Sequence, residues 1–226
     1  MDINPSKSEV FFSAVPQDVK GQILDVLQFK EGTLPVRYLG LPLISGSLRL
    51  KDCQPLIDKI QVRIKSWSSR TLSFAGRLQL LQSVLYSIRR FWSSNFTLPN
   101  KVIKTLEQNF NHFLWQGQGI GKGKTKVAWE KVCLPKREAG LGLQRVASWN
   151  RVAIMKHIWS LFTKAGSLWV AWIHANLLKG KCFWTVKIPQ ECTWGWRALF
   201  KLMDEARKFI RFEVGDGKTI FLWHDL

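Results

Sequence analysis

The sequence predicts a mainly α protein with a small α/β part at its N-terminus, a helical thumb-like subdomain, further helices and a C-terminal β-hairpin. From Leu50 onward, apolar residues recur every three or four positions, as they do along one side of an amphipathic helix. The first 45 residues instead contain short apolar runs bounded by turn residues. With 226 residues, 46% of them apolar, the chain can bury a real core in one or two domains.

The N-terminal part is predicted to alternate between strand and helix. The apolar run VFFSAV, residues 10–15, predicts a short strand, and PQDVKGQILDVLQF, residues 16–29, predicts a helix. A second extended apolar segment follows at VRYLGLPLI, residues 36–44.

Three basic amphipathic helices are predicted next. The first covers CQPLIDKIQVRIKSW, with Leu56, Ile60, Ile64 and Trp67 on one side. Ser73 is a plausible N-cap for the second, FAGRLQLLQSVLYSI, which carries the apolar stripe Leu78, Leu81, Leu85 and Ile88. Pro99-Asn100 opens the third, in which the inward residues are Val102, Leu106, Phe110 and either Phe113 or Leu114.

The remaining chain is predicted to be turn-rich, then helical, then a hairpin. Residues 127–144 read as short, extended and rich in turns, and helices are expected over 146–162, 167–178 and 196–210. The apolar stretch 158–178 contains Lys164 and His174, which favours two amphipathic helices over a membrane span. The segment RFEVGDGKTIFLW, residues 211–223, has the form of a β-hairpin that turns at 215–217.

The charge of the chain points to a polyanionic partner. The net charge is +18 and the isoelectric point is near 10.1. No acid occurs between Lys59 and Leu106, or between Ala139 and Gln190. The first of these segments holds nine basic residues at helical spacing, namely Lys59, Arg63, Lys65, Arg70, Arg77, Arg89, Arg90, Lys101 and Lys104. Since solvated helices normally mix both signs, we expect a folded, one-sided basic surface.

The stretch GQGIGKGKTK, residues 117–126, resembles a phosphate-binding loop but does not meet its spacing. Such a loop needs a glycine five residues before Gly-Lys-Thr, and that position is Gln118. It should also follow a buried strand, whereas the preceding residues have helical periodicity. We therefore interpret the stretch as a solvated basic loop, in which Lys122, Lys124 and Lys126 could contact a nucleic-acid backbone.

The four cysteines predict neither a zinc site nor a disulfide framework. They contain no C-x-x-C pair, and the four histidines do not complete a ligand cluster. No secretory signal follows Met1, so we expect an intracellular protein with reduced thiols, in the nucleus or the cytoplasm and not secreted.

Six phrases of the sequence, in this order, resemble the reverse transcriptases of plant LINE-type (non-LTR) retrotransposons. They are SKSEVFF, LPVRYLGLPL, KSWSSRTLSFAGRLQLLQSVL, FTLPNKVIKTLEQNFNHFLWQG, KVAWEKVCLPKREAGLGLQRV and VGDGKTIFLWHD. The resemblance implies three parts: residues 1–48 would be the end of the polymerase palm, 49–116 the thumb-like subdomain, and 117–226 the connection region, ending before the family's zinc-binding region.

The resemblance also implies roles for individual residues. Lys7 would lie near the pyrophosphate of the incoming nucleotide and act as a general acid, although a solvated lysine is the ordinary alternative. Tyr38, Leu39 and Gly40 resemble the primer-grip turn, although Tyr38 could equally belong to a strand core. The thumb would bind the template–primer duplex of RNA and DNA through basic residues; the candidates are Lys59, Arg63, Lys65, Arg70, Arg77, Arg89, Arg90, Lys122, Lys124 and Lys126.

Catalysis by this polypeptide alone is not expected. Polymerases hold two metal ions with closely placed carboxylates, and the chain contains no Asp-Asp pair. The resemblance places those aspartates, and their Mg²⁺, in the palm upstream of Lys7, so no cofactor, membrane or small-molecule substrate is expected here and a separate polymerase chain is a possible partner. Two alternatives stay open: a domesticated, sequence-independent nucleic-acid-binding module, and an aggregation-prone retroelement remnant without function.

Overall fold

The structure, a computed structural model, describes residues 4, 8–44, 46–68, 72–117, 125–188, 190, 192–213, 215–216 and 223–224. The chain divides into two compact units, Met1–Ser47 and Leu48–Leu226. The described residues form mainly helices, with four short strands confined to the first unit. This confirms the predicted mainly α fold with a small α/β part at the N-terminus.

The first unit contains two small sheets and one helix. Strand β1 (Glu9–Val10) pairs in parallel with β2 (Lys30–Glu31), and helix α1 (Gln17–Leu27) connects them. The predicted helix is confirmed, but the strand expected over residues 10–15 is wrong beyond Val10. The strand pairing ends at Val10, and Ala14 has φ 56°, in the left-handed region, which an extended strand does not adopt.

The second sheet of this unit is a hairpin. Strands β3 (Val36–Tyr38) and β4 (Leu41–Leu43) are antiparallel, with Tyr38 opposite Leu41. The two residues between them, Leu39 and Gly40, have φ 51° and 82°. Two positive φ angles are what a two-residue type I′ turn requires, so the predicted extended segment is interrupted by a tight turn.

The larger unit begins with the three predicted basic helices. A single 3₁₀ turn (Lys51–Cys53) leads into α2 (Gln54–Ser68). The second helix consists of α3 (Phe74–Leu80), a π turn (Leu81–Leu85) and α4 (Tyr86–Asn95). The third is α5 (Asn100–Gln116), which ends at Gly117 with φ 74°. Helix α2 packs against α4 and α5, and α3 packs against α5.

Most of the predicted inward residues of these helices lie in the core between them, but Trp67, Leu78 and Ile88 are only half-buried. Leu56, Ile60 and Ile64 of α2 are buried, and α5 buries both Phe113 and Leu114 together with the other predicted positions. The predicted N-cap is also confirmed, because the Ser73 Oγ accepts a hydrogen bond of 3.1 Å from the Gly76 N–H.

The rest of the unit is a set of shorter helices around one long helix. A turn-rich stretch contains α6 (Trp129–Val132) and a 3₁₀ turn (Lys136–Glu138). Then come α7 (Val146–Phe162), α8 (Leu168–Ile173) with a following π turn (His174–Leu178), a 3₁₀ turn (Phe183–Thr185), α9 (Trp194–Lys201) and α10 (Met203–Arg207).

These elements confirm the helices predicted over the same regions, with a break at Leu202 inside the last one. Most of the hairpin expected over 211–223 lies outside the described residues. Among the helices that the structure describes, none combines the length and apolarity needed to cross a membrane.

Aromatic side chains fill a second core beneath α7. Phe162 stacks on Trp184 at 4.7 Å between ring centroids, and Phe183 stacks on Phe200 at 5.6 Å. Trp196 meets Phe200 edge to face at 5.1 Å. The chain contains twelve tryptophans, and packing in this core explains part of that number.

Asn150 fixes α7 to the segment between α4 and α5. Its buried side-chain amide donates to the backbone carbonyls of Ser93 (2.9 Å) and Phe96 (2.7 Å), and its Oδ1 accepts from the Leu98 N–H (2.8 Å). One side chain thus satisfies three backbone groups where two helices meet a loop, and buried groups of this kind are costly to leave unpaired.

A carboxylate from α5 caps the start of α7. The Glu107 Oε1 accepts a 3.0 Å hydrogen bond from the Val146 N–H, the first residue of the helix. Negative charge is favourable at a helix N-terminus. Burial nevertheless raises the pKa of Glu107 above its ordinary value, and the bond from Val146 opposes that shift.

Replacing Asn150 by alanine should lower the free energy of unfolding by about 2–4 kcal/mol, because three backbone groups lose their partner. Urea denaturation measures the change. The control is Asn176→Ala, since the Asn176 side chain is exposed and bonds only within its own helix. A loss below about 1 kcal/mol for Asn150→Ala would show that these bonds do not anchor α7.

Glu107 should make stability depend on pH. A carboxyl whose pKa is raised on folding contributes most below its unfolded pKa and loses that contribution as pH rises through the folded pKa. The stability of Glu107→Gln relative to the wild type should therefore increase between pH 4 and pH 7 in urea denaturation.

The exposed Glu138→Gln variant controls for the removal of one negative charge. Glu107→Ala, which lacks an acceptor for the Val146 N–H, should be about 1 kcal/mol less stable than Glu107→Gln. A relative stability of Glu107→Gln that falls toward pH 7 would contradict the assignment.

Candidate nucleic-acid interface

The exposed basic residues of α2 lie on two sides of the helix. Lys59 and Arg63 are exposed and four residues apart, so they share one side, with a rise of roughly 6 Å between them. Lys65 is also exposed, but it lies roughly 200° around the helix from Arg63. The predicted set therefore does not form a single row on α2, and Lys59 with Arg63 is the pair that one strand of nucleic acid can contact together.

Further exposed basic residues lie on α4, on α5 and after the basic loop. Lys101 and Lys104 are three residues apart on the solvent side of α5. Arg90 is exposed on α4, and Lys126 is exposed after the loop. The ion pairs that the structure describes include none of these residues: Lys59, Arg63, Arg90, Lys101 and Lys104. Lys101 and Lys104 were not among the predicted contacts, although their exposure could have been anticipated from their position opposite Val102 and Leu106.

Arg89 is a correction to the predicted set, because its side chain is buried and cannot contact a phosphate. Its guanidinium lies 4.8 Å from the centre of the Tyr86 ring, and its Nη2 donates to the Gln144 Oε1 at 3.2 Å. Burial lowers the pKa of Arg89. The physical reason is position: Arg89 follows the buried Leu85 by four residues and precedes the buried Ser93 by four.

Arg77 is partly turned inward. Its side chain packs against Gly117, where an added Cβ would lie 3.4 Å from the Arg77 Nη1. Gly117 directly follows α5, so the guanidinium lies beside the C-terminal end of that helix, where a positive charge is favourable. A role of Arg77 in nucleic-acid contact stays a prediction. In such a contact, the guanidinium that lies beside α5 would also have to reach a phosphate.

The hairpin turn places two predicted primer-grip side chains in solvent. Tyr38 and Leu39 are 65% and 75% exposed, so the alternative of an ordinary strand-core tyrosine is wrong. Gly40 follows them at φ 82°, which disfavours any residue with a side chain. The primer-grip role itself stays a prediction. Lys7, Arg70, Lys122 and Lys124 lie outside the described residues.

The acidic and sulfur-bearing residues of the described chain do not gather into a metal site. Within those residues, no group of three or more His, Cys, Asp or Glu side chains lies close enough to hold an ion. Burial raises the pKa of the thiols of both Cys53 and Cys133 to about 12. These two thiols therefore stay protonated at neutral pH.

Exposed tryptophans on α7 are a feature that the sequence reasoning did not assign. Trp149 and Trp159 are 42% and 52% exposed, on the side opposite the buried Ile154 and Ile158. The signal was present in the sequence, because α7 is apolar on both of its sides and therefore cannot be an ordinary amphipathic helix.

Comparison with known proteins gives one curated relative and no family model that matches the sequence. The relative is a protein of Arabidopsis thaliana named "Putative ribonuclease H protein", which is 30% identical over 188 residues. The match covers 82% of this chain but 30% of that protein, so the chain corresponds to less than a third of the relative's length.

Arginine-specific modification should separate the buried guanidinium from the exposed ones. With phenylglyoxal, Arg63 and Arg90 should react in the folded protein, whereas Arg89 should react at least about tenfold more slowly because access requires local opening. Peptide mass spectrometry measures each site, and the same reaction in urea provides the control in which all three react. Equal rates for Arg89 and Arg90 in the folded protein would contradict the buried position.

Proposed function

We propose that this chain is the thumb and connection part of a non-LTR retrotransposon reverse transcriptase, and that it binds the template–primer duplex through basic helices. The observation that carries the proposal is the exposure of basic residues on α2, α4 and α5 in a segment without an acid. A ribonuclease H acts on nucleic acid, so the name of the Arabidopsis relative agrees with a nucleic-acid partner.

The contacts would be made to phosphates rather than to bases. Lys59 and Arg63 lie one helical turn apart, a spacing from which both can reach phosphates of the same strand. Lys101 and Lys104 offer a second such pair on α5. Phosphate contacts position a duplex without reading its sequence, so binding should be independent of base sequence.

The N-terminal hairpin supports the same assignment. A primer grip has to present side chains at a fixed turn, and the positive φ angles of Leu39 and Gly40 fix this turn. The exposed Tyr38 and Leu39 provide apolar surface against which the sugar at the end of a growing strand could pack. We infer that this turn holds the primer end when the complete polymerase is assembled.

The proposed role is to hold nucleic acid, not to form phosphodiester bonds. The described residues do not fit a two-metal centre, which requires closely placed carboxylates. Asp204 and Glu205 are adjacent in α10, but Glu205 is already paired with Arg151. In this proposal the metal-binding aspartates belong to the palm, in a longer chain or in a separate polymerase chain.

Neutralising one helical pair should weaken the salt dependence of binding. For the double variant Lys59→Gln/Arg63→Gln, the slope of log K against log salt on duplex DNA should become shallower by about 1.8, because each lost phosphate contact contributes about 0.9. Fluorescence anisotropy with labelled duplex DNA, repeated across a series of KCl concentrations, measures the slope.

The matched control removes the same charge elsewhere. Lys179→Gln/Lys181→Gln changes two exposed lysines outside the three basic helices and should leave the slope almost unchanged. If both double variants reduced the slope equally, the binding would reflect diffuse positive charge, and the proposed interface on α2 would be wrong.

A further inference from the structure

Helix α7 exposes a stripe of large apolar side chains to solvent. Trp149, Val152 and Trp159 are 42%, 53% and 52% exposed. They occur at intervals of three and seven residues, which places them on one side of the helix, and the exposed Lys156 lies between Val152 and Trp159 on the same side. We call these four residues the α7 stripe.

The α7 stripe lies away from the side by which the helix packs into the core. The opposite side of α7 already buries Val146, Asn150, Ile154, Ile158 and Leu161. Tryptophan is a large apolar side chain, and two of them exposed on one helix side, together with a valine, are typical of a surface that binds something.

The charge around the stripe indicates what it binds. Residues 139–190 contain seven basic residues and no acid, and the exposed Lys156 lies within the stripe itself. Arg145 precedes α7 on the same side as Trp149, but it is paired with Glu130 at 3.5 Å. A partner that offers both flat apolar faces and negative charge complements this surface. Single-stranded nucleic acid has both, because its unpaired bases can stack on aromatic rings while its phosphates meet lysine and arginine.

We propose that the α7 stripe is a binding site for single-stranded nucleic acid, in which bases stack on Trp149 and Trp159 and Lys156 contacts the phosphates between them. This inference extends the proposed function, on which it rests, from the duplex to an unpaired strand. The stripe would be a second site. The basic residues of α2 and α5 would contact phosphates, and the described residues of these two helices include no exposed tryptophan.

The dimensions of the helix fit this partner. Ten residues separate the two tryptophans, which corresponds to roughly 15 Å along the helix axis. At about 3.4 Å for each stacked nucleotide, this distance spans roughly four nucleotides. Lys156 lies one turn before Trp159, within the same span.

A second copy of the chain is a poorer occupant. A symmetric contact through α7 would bring Lys156 of both copies into one apolar interface, and the stripe contains no acid that could pair with either. The chain carries a net charge of +18, so two such surfaces repel each other unless an anion lies between them.

The test compares single and double strands on variants of the tryptophans. Trp149→Ala and Trp159→Ala should each weaken binding to a 12-nucleotide oligo(dT) by about tenfold, as expected for the loss of one stacked base, and should change duplex binding by less than about twofold. Trp149→Phe and Trp159→Phe should each retain most of the affinity, because each preserves an aromatic face.

The matched control is Trp172→Ala. Trp172 is 54% exposed, almost the same as Trp159, but it lies on α8, which contains no basic residue. This variant should bind oligo(dT) as the wild type does. Circular dichroism of each variant verifies that the helices are intact.

The outcomes separate this inference from the proposed function. If Trp149→Ala/Trp159→Ala binds oligo(dT) as tightly as the wild type, while Lys59→Gln/Arg63→Gln still alters duplex binding, the stacking site is wrong and the proposed function stands. If the wild type binds neither nucleic acid, both are wrong.

If the wild type dimerises in analytical ultracentrifugation and the tryptophan double variant does not, the stripe is occupied by a second copy, and the inference is overturned.

Discussion

The hydrogen bonds of Asn150 are the constraint on which the larger unit depends. They fix α7 to the segment between α4 and α5, and Glu107 fixes its first turn to α5. Beyond these bonds, α7 also packs against α9 and α10, where the aromatic core begins. A single helix therefore joins the three basic helices to the C-terminal helices. Because buried amide and carboxylate bonds are directional, they determine the rotation of α7, and with it the side that is left facing solvent.

The same fold separates two uses of positive charge. Arg89 is buried against Tyr86 and serves the packing of α4, while Arg77 packs beside the C-terminal end of α5. The other basic side chains of these helices point to solvent, where hydration keeps them charged without the free-energy cost of burial. A positive surface without neighbouring acidic residues lowers the stability of the folded protein, because its like charges repel one another. An anionic partner removes this repulsion, and nucleic acid is the partner that the acid-free segments favour.

The sequence predicted the helices well because their apolar spacing is regular. Leu56, Ile60 and Ile64 could be assigned to the core from periodicity alone, and Ser73 could be assigned as a cap from its chemistry. The strand predicted over residues 10–15 was wrong beyond Val10, because apolar content does not reveal the left-handed backbone at Ala14. Arg89 was misplaced because residue type was given more weight than its position, four residues from two buried neighbours. The apolar residues on both sides of α7 indicated that one apolar side would be exposed, but they could not show which side the rest of the chain would cover.

The central claim, that the basic helices bind nucleic acid, is tested most directly by the affinity of the unmodified protein for an RNA–DNA hybrid, duplex DNA and single strands, titrated with salt. The account predicts tight binding to the hybrid or duplex at low salt. It also predicts a log–log slope between about −2 and −5, as expected for two to five phosphate contacts. Absence of binding at low salt, or weak binding that does not depend on salt or strand type, would contradict it.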